Sequence, residues 1–267
     1  MKNLPGIAKW VKLNKGFYPN VSPSKLSLFR NSPSMFICRY GFGKKQQPSA
    51  AMFRGIFVED AVVEVLTNKL SIKKATDKAK KKLENKYPDF SQAFISEKGK
   101  AKIEKEMKSL APMIEMSCDA LVDFGVPEFD EGQQKKIGYN IEGDDWSIAA
   151  TGYLDLVFPN GQVIDLKTTH QMPQYMSEEH QLQRAFYKTA MNNHEVRFLY
   201  VTPRNASFLE DGDEVSIMEG AKGLIKQLDN FCHTFTPDQA RKSIPIGSQD
   251  FYWFGEDHLK NFYNRKE

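Results

Sequence analysis

Between residues 133 and 202 the apolar side chains change their period, and that change limits the folds open to the chain. The runs 133–141, 146–158 and 162–169 have the short, β-rich pattern of strands, with Gly143-Asp144 and Pro159-Asn160-Gly161 as turns between them. A helical pattern follows over 177–192. Val196-Arg197-Phe198-Leu199-Tyr200-Val201 then reads as an apolar strand that ends at Pro203. The order β, β, β, α, β predicts an antiparallel meander whose last strand returns by a helical crossover, giving an α/β fold with a mixed central sheet flanked by helices.

The segments on either side are mostly helical. Residues 1–23 read as an irregular lead-in, and Ser22-Pro23-Ser24 supplies an N-cap for a short helix. After a loop over 41–48, helices are predicted over 50–68, which carries Glu59, and over 71–86, 97–123 and 216–235. The Lys-rich stretches 73–82 and 98–108 read as solvated helix faces. No repeat or linker divides the chain, so 1–267 is expected to be one domain. Within it, 1–125 is a basic, mainly helical extension, 126–235 holds the sheet core, and 236–267 is a C-terminal extension. The aromatic cluster Phe251-Tyr252-Trp253-Phe254 reads as core packing, with stacking on the bases of a single strand as the alternative.

No stretch of about 18 apolar residues occurs, and the Lys-rich, Pro-broken N-terminus lacks an apolar leader, so a soluble intracellular protein with no membrane partner is expected. Cys38, Cys118 and Cys232 lie too far apart for a metal knuckle and read as buried thiols. The net charge of +3 is unevenly spread. Residues 1–58 hold ten Lys or Arg, Lys2 and Lys15 among them, and no Asp or Glu. A one-sided basic block suits a polyanion, and the interleaved Phe17, Tyr18, Phe29, Phe36, Tyr40 and Phe42 favour a folded segment that faces nucleic acid over a disordered tail.

Asp155 and Asp165 each stand five residues from Asn160, so a hairpin centred there sets the two carboxylates opposite each other. Opposed like charges destabilise a strand pair, and a cation between them explains the pairing better than fold stability does. Lys167, two residues after Asp165, points to the same face. Hard oxygen ligands suit Mg²⁺ or Mn²⁺, and a metal with an adjacent lysine is machinery for phosphodiester hydrolysis. A bare D-x-K equally describes a surface ion pair, so the flanking residues have to decide.

Gly55-Ile-Phe-Val-Glu59, Gly152-Tyr-Leu-Asp155, Val163-Ile-Asp165-Leu-Lys167 and Gln183-Arg-Ala-Phe-Tyr187, in that order, resemble the motifs of the PD-(D/E)XK nuclease superfamily. Within it the chain is similar to the RecB-type branch that includes relatives of lambda exonuclease. The resemblance implies a restriction-endonuclease-like core and a metal held by Glu59, Asp155, Asp165 and the carbonyl of Leu166. It makes Lys167 the catalytic lysine and places Gln183 and Tyr187 near the site, in contact with substrate and supporting the lysine. It implies Mg²⁺, with Mn²⁺ substituting. Members with an iron-sulfur cluster have four cluster cysteines, which this chain lacks, so no cluster is expected.

The activity implied is a cytoplasmic exonuclease, in a bacterial or phage-infected cell, that processes linear single- or double-stranded DNA ends in recombination, repair or phage DNA metabolism. A single-strand annealing or recombination partner and an oligomer are compatible with that reading. A structure-specific or restriction-like endonuclease, and a DNA-binding module with a retired site, are the alternatives.

Overall fold

Most helices begin where the sequence supplies a side-chain acceptor for their first N–H groups. In the computed structural model, residues 4–13, 18–87, 97–128, 134–192 and 194–265 are described, 97 and 98 by backbone alone. Lys2, Lys15, Phe17 and Gln133 lie outside these, as does the side chain of Lys98. The chain runs α1 (Pro5–Leu13), β1 (Asn20–Val21), α2 (Pro23–Asn31) and α3 (Pro33–Phe36), then a π-helical turn, Ile37–Gly41. The helices α4 (Ala50–Leu66), α5 (Ile72–Lys86) and α6 (Glu97–Leu121) come next. Ser22, Ser49 and Ser71 cap α2, α4 and α5 by accepting from Lys25, Met52 and Lys74 N–H.

The strands are β2 (Lys135–Glu142), β3 (Ser147–Leu154), β4 (Leu156–Val157) and β5 (Gln162–Thr168). After α7 (Glu178–Ala190) come β6 (Glu195–Val201) and β7 (Ala206–Leu209), then α8 (Glu214–Thr234), α9 (Pro237–Ser243) and α10 (Asp257–Tyr263). They form two sheets, ordered β1-β3-β2 and β4-β5-β6-β7. The expected antiparallel pairs are present, β2 with β3 and β4 with β5, and β6 returns parallel to β5 after α7. The strand expected over 146–158 is instead interrupted at Asp155, where the chain leaves one sheet and enters the other.

Two cores flank the second sheet, and alternation along its strands divides the side chains between them. Val163, Val196, Phe198 and Tyr200 join a core shared with α1, α2, β3, α7 and α8. Ile164, Leu166, Leu199 and Val201 pack with α4, α5 and α6. Each fully buried Leu, Ile or Phe contributes roughly 1.5–3 kcal/mol of apolar burial, so both faces of this short sheet are held firmly.

Within the irregular lead-in expected over 1–23, the described residues form α1 and β1, while 1–3 and 14–17 lie outside the described residues. Pro5 takes the first helical position, where its missing N–H costs nothing. Gly6 lies against α8 so closely that a Cβ there would be 1.9 Å from the Asp229 carbonyl oxygen. Ile7 N–H donates to Asp229 Oδ1 at 2.9 Å, tying α1 to a helix 222 residues away in sequence. In the C-terminal aromatic cluster Trp253 is buried and donates to Ser34 Oγ at 2.9 Å, while Phe251 and Phe254 are exposed. All three cysteines are buried.

Of the basic block, Lys25 is an internal group. Its Nζ donates to the carbonyls of Tyr18 and Asn20, each at 2.9 Å, and burial pulls its pKa down to about 8. Arg54 is buried as well, whereas Lys12, Arg30, Arg39, Lys44 and Lys45 are exposed. Phe36 is a core residue, with Phe29, Tyr40 and Phe42 packed against the same core, so these aromatics serve the fold.

Candidate active site

The hairpin turn positions the acids. Gly161 has φ +82°, which a glycine adopts without strain, and its N–H closes the turn onto the Phe158 carbonyl at 3.0 Å. Leu156 then pairs with Ile164 and Val157 with Val163. One step further along the same register, Asp155 comes level with Asp165. The break between β3 and β4 frees Asp155 to turn its carboxylate across to β5, where Oδ2 accepts the Leu166 N–H at 2.9 Å.

Asp155 and Asp165 are 8% and 1% exposed, which is unusual for carboxylates and requires compensation. Asp165 meets Lys167 Nζ at 2.5 Å through Oδ1 and accepts from Gln183 Nε2 at 2.9 Å through Oδ2. Gln183 Nε2 lies 2.7 Å from the Tyr187 hydroxyl, which donates to the Tyr153 carbonyl at 2.6 Å. The i, i+4 spacing on α7 therefore becomes a chain of hydrogen bonds from Tyr153 through Tyr187 and Gln183 to Asp165. Gly152 makes room for it, since a Cβ there would stand 2.6 Å from Tyr187 Cε1. Gln181, the other glutamine of this segment, donates to the Met176 carbonyl at 3.1 Å.

Glu59 arrives from α4. A single amide nitrogen, Gln134 Nε2, lies 2.5 Å from Glu59 Oε1 and 2.8 Å from Asp155 Oδ1, linking the helix to the sheet junction. Burial, with the charges of Asp165 and Asp60, raises the Glu59 pKa to about 7, although the bond from Gln134 opposes the rise. Burial and the neighbouring Asp165 and Glu59 push Asp155 well above the usual carboxylate range. Burial works against the Lys167 ammonium, but Asp165, Asp155 and Glu59 outweigh it and raise its pKa. The lysine is therefore a firm cation at neutral pH.

Among the described residues, no three His, Cys, Asp or Glu side chains already stand in an arrangement that could hold a metal ion. The carboxylate oxygens are turned to Gln134, Gln183, Leu166 and Lys167 instead. The donor chemistry still suits a hard cation. Glu59, Asp155, Asp165 and the Leu166 carbonyl are all oxygen donors, and Asp165 Oδ1 is buried with Lys167 Nζ against it. Glu59 and Asp155 line an open groove of about 510 Å³, with Gln134, Tyr153, Ile56 and Lys82 on its walls.

Sequence reasoning missed three groups beside these residues. Gln134 carries no pattern that marks it. Tyr200, level with Lys167 on β6, meets His180 Nδ1 at 2.5 Å, and Phe198 has its ring centroid 5.2 Å from Lys167 Nζ. His180 lies three residues before Gln183, so helical spacing alone could have placed it on the same face. At the far end of β5, Arg54 is bonded to Glu106 and to the Thr168 carbonyl, the latter at 3.0 Å, and His170 Nε2 reaches Glu106 at 2.9 Å.

A mixed sheet flanked by helices, with Asp165 and Lys167 on β5 and Asp155 turned toward them from the β3–β4 junction, matches the restriction-endonuclease-like fold. The sequence matches the family model of the PD-(D/E)XK nuclease superfamily over residues 20–244, and the chain belongs to that superfamily. PD-(D/E)XK nucleases generally use divalent metal ions.

Among solved structures, a protein from Eubacterium rectale named "Putative exonuclease" is 12% identical, with TM-score 0.52 over 88% of this chain and 92% of that one. It shares the fold. The structure of SSO0001 is 15% identical, with TM-score 0.34 over 74% of this chain and 88% of that one. No curated protein matches. No helix among the described residues is long and apolar enough to cross a membrane.

Proposed function

We propose that this chain is a Mg²⁺-dependent deoxyribonuclease, with Mn²⁺ able to substitute, and that it acts as an exonuclease at DNA ends in recombination, repair or phage DNA metabolism. The observation that carries the reading is Lys167 Nζ held against Asp165, on the strand where Leu166 N–H holds Asp155. Asp155, Asp165 and the Leu166 carbonyl, with Glu59, are the groups that would hold the ion. A divalent cation held by these groups would supply Lewis acidity for phosphodiester hydrolysis.

The remaining work falls to the chain's own residues. Lys167, protonated through neutral pH, donates rather than accepts: it orients the attacking water or a non-bridging phosphate oxygen and stabilises charge that develops on it. Gln183 occupies Asp165 Oδ2, which leaves Oδ1 to face the lysine, and Tyr187 fixes Gln183 in turn. These two are positioning residues. Exposed Ile56 and Tyr153 on the groove walls offer apolar surface to a DNA strand approaching Glu59 and Asp155.

Action at ends is supported by the RecB-type spacing of Gln183 and Tyr187 and by the name of the Eubacterium rectale protein whose fold is shared. We read the whole chain as one nuclease domain of a cytoplasmic protein that acts on DNA, alone or with an annealing or recombination partner. The test is degradation of end-labelled linear DNA beside covalently closed circular DNA, with Mg²⁺, Mn²⁺ or EDTA, for wild type, Asp165→Ala and Lys167→Ala. Metal-dependent loss of the linear substrate alone, abolished by both substitutions, is expected. Cleavage of the circle would make it an endonuclease, and binding without cleavage under any metal would refute the nuclease reading.

A further inference from the structure

Gln134 lies one residue before β2 and belongs to none of the four motifs. Its amide nitrogen is bonded to carboxylates that reach it from separate elements, Glu59 on α4 and Asp155 at the β3–β4 junction. Two acceptors facing one amide fix its orientation: the NH₂ end turns toward them, because the amide oxygen would be repelled by both. One N–H goes to each acid. A neutral donor thus fills the interval between two acids that repel each other when ionised.

Hydrogen bonds to a charged acceptor are stronger than those between neutral groups, so this amide stabilises an otherwise repulsive pair. Asp155 Oδ2 is already taken by the Leu166 N–H, which leaves Oδ1, and Oδ1 is the oxygen that Gln134 covers. A cation held by Glu59 and Asp155 would draw on the same oxygens.

We infer that Gln134 is a positioning residue that stands in for the cation: it holds Glu59 and Asp155 together in the metal-free protein, gives them up when a divalent ion binds, and so lowers the affinity of the site by competition. The inference rests on the proposed nuclease reading for the identity of the metal-binding acids. It makes the metal-free site a closed form in which Gln134 takes the Glu59 and Asp155 oxygens that an ion would use.

The test is calorimetric titration of the full-length protein with MgCl₂ at pH 8.5, comparing wild type with Gln134→Ala and Gln134→Met, and melting curves with and without Mg²⁺. Both substitutions remove the donor, and the Met variant keeps the length of the side chain. Both are expected to bind Mg²⁺ about tenfold more tightly, to melt lower in EDTA, and to gain more from Mg²⁺ than wild type does. A residue with a merely structural role would shift affinity the other way, since disordering the acids weakens the site.

Affinity unchanged or weakened in both variants overturns the inference and leaves the nuclease reading intact. If wild type gives neither heat nor a melting shift with Mg²⁺, while Asp165→Ala behaves identically, the metal reading itself fails and takes the inference with it.

Discussion

Replacing Glu59 by Gln should stabilise the metal-free protein while disabling it. The carboxyl of Glu59 is moved from 4.5 to about 7, first by burial and then by the charges of Asp165 and Asp60. A raised acid binds its proton more tightly in the folded state than in the unfolded one. Between pH 4.5 and about 7 the folded state therefore holds more protons, and stability falls as pH rises through that window, then levels off. At about 1.4 kcal/mol per pKa unit the full shift would be worth roughly 3 kcal/mol, and partial exposure of the side chain brings this to roughly 2–3 kcal/mol.

Gln removes the ionisation, yet its amide oxygen can still accept from Gln134. The expected result in EDTA is no difference between Glu59→Gln and wild type near pH 4.5, and a gain for the variant of about 5–10 °C in Tm at pH 8. With Mg²⁺ the order should reverse, because wild type gains from the ion what the variant cannot. Thermal melts by circular dichroism at pH 4.5, 6, 7 and 8 measure this directly. A variant no more stable than wild type at pH 8, or one whose advantage is already complete at pH 4.5, would refute the reasoning that surplus negative charge strains this site.

Three further outcomes follow from contacts described above. Gly152→Ala drives a Cβ to 2.6 Å from the anchored Tyr187 ring and should cost about 1–3 kcal/mol, read as a lower urea midpoint at unchanged slope. Tyr187→Phe removes the hydroxyl between Gln183 and the Tyr153 carbonyl; we expect about 1 kcal/mol less stability and a tenfold lower kcat with KM little changed, and an unaltered kcat would show that Gln183 needs no such support. His180, whose pKa burial and then Lys167 lower to about 4, stays neutral in the fold, so stability should fall as pH drops from about 6.5 toward 4; melts of His180→Gln should lack that part of the acid limb.

The sequence made the centre of this protein readable and left its supports hidden. The register of the hairpin follows from a three-residue turn that local chemistry dictates, and the Gln183–Tyr187 pair follows from helical geometry. Both are short-range. Gln134 could not be found that way, because its role exists only once α4 and the β3–β4 junction meet. Pro5 and Gly6 look like helix breakers until Pro5 is seen at the first helical position and Gly6 against α8. Pro112, inside α6, costs that helix a backbone bond, yet the neighbouring Leu110, Met113 and Ile114 are fully buried and hold the turn together. The break at Asp155 escaped notice because 146–158 is apolar enough to read as one strand, and β7 because its four residues are all half-buried and show no alternation.

The bond from Ile7 to Asp229 also bears on the order in which the protein can be built. A chain emerging from the ribosome at about 5–20 residues per second has made α1 some 10–45 s before α8 exists to receive it. Throughout that interval the buried side of α1, with Ile7 and Trp10, has no final partner, whereas α4, α5 and α6 can already pack on one another. The face of the sheet that carries Asp165 and Lys167 belongs to the side completed last. Until the α8 segment has been made, that side of the sheet lacks the buried residues α8 supplies to its core, Ile225 and Leu228 among them.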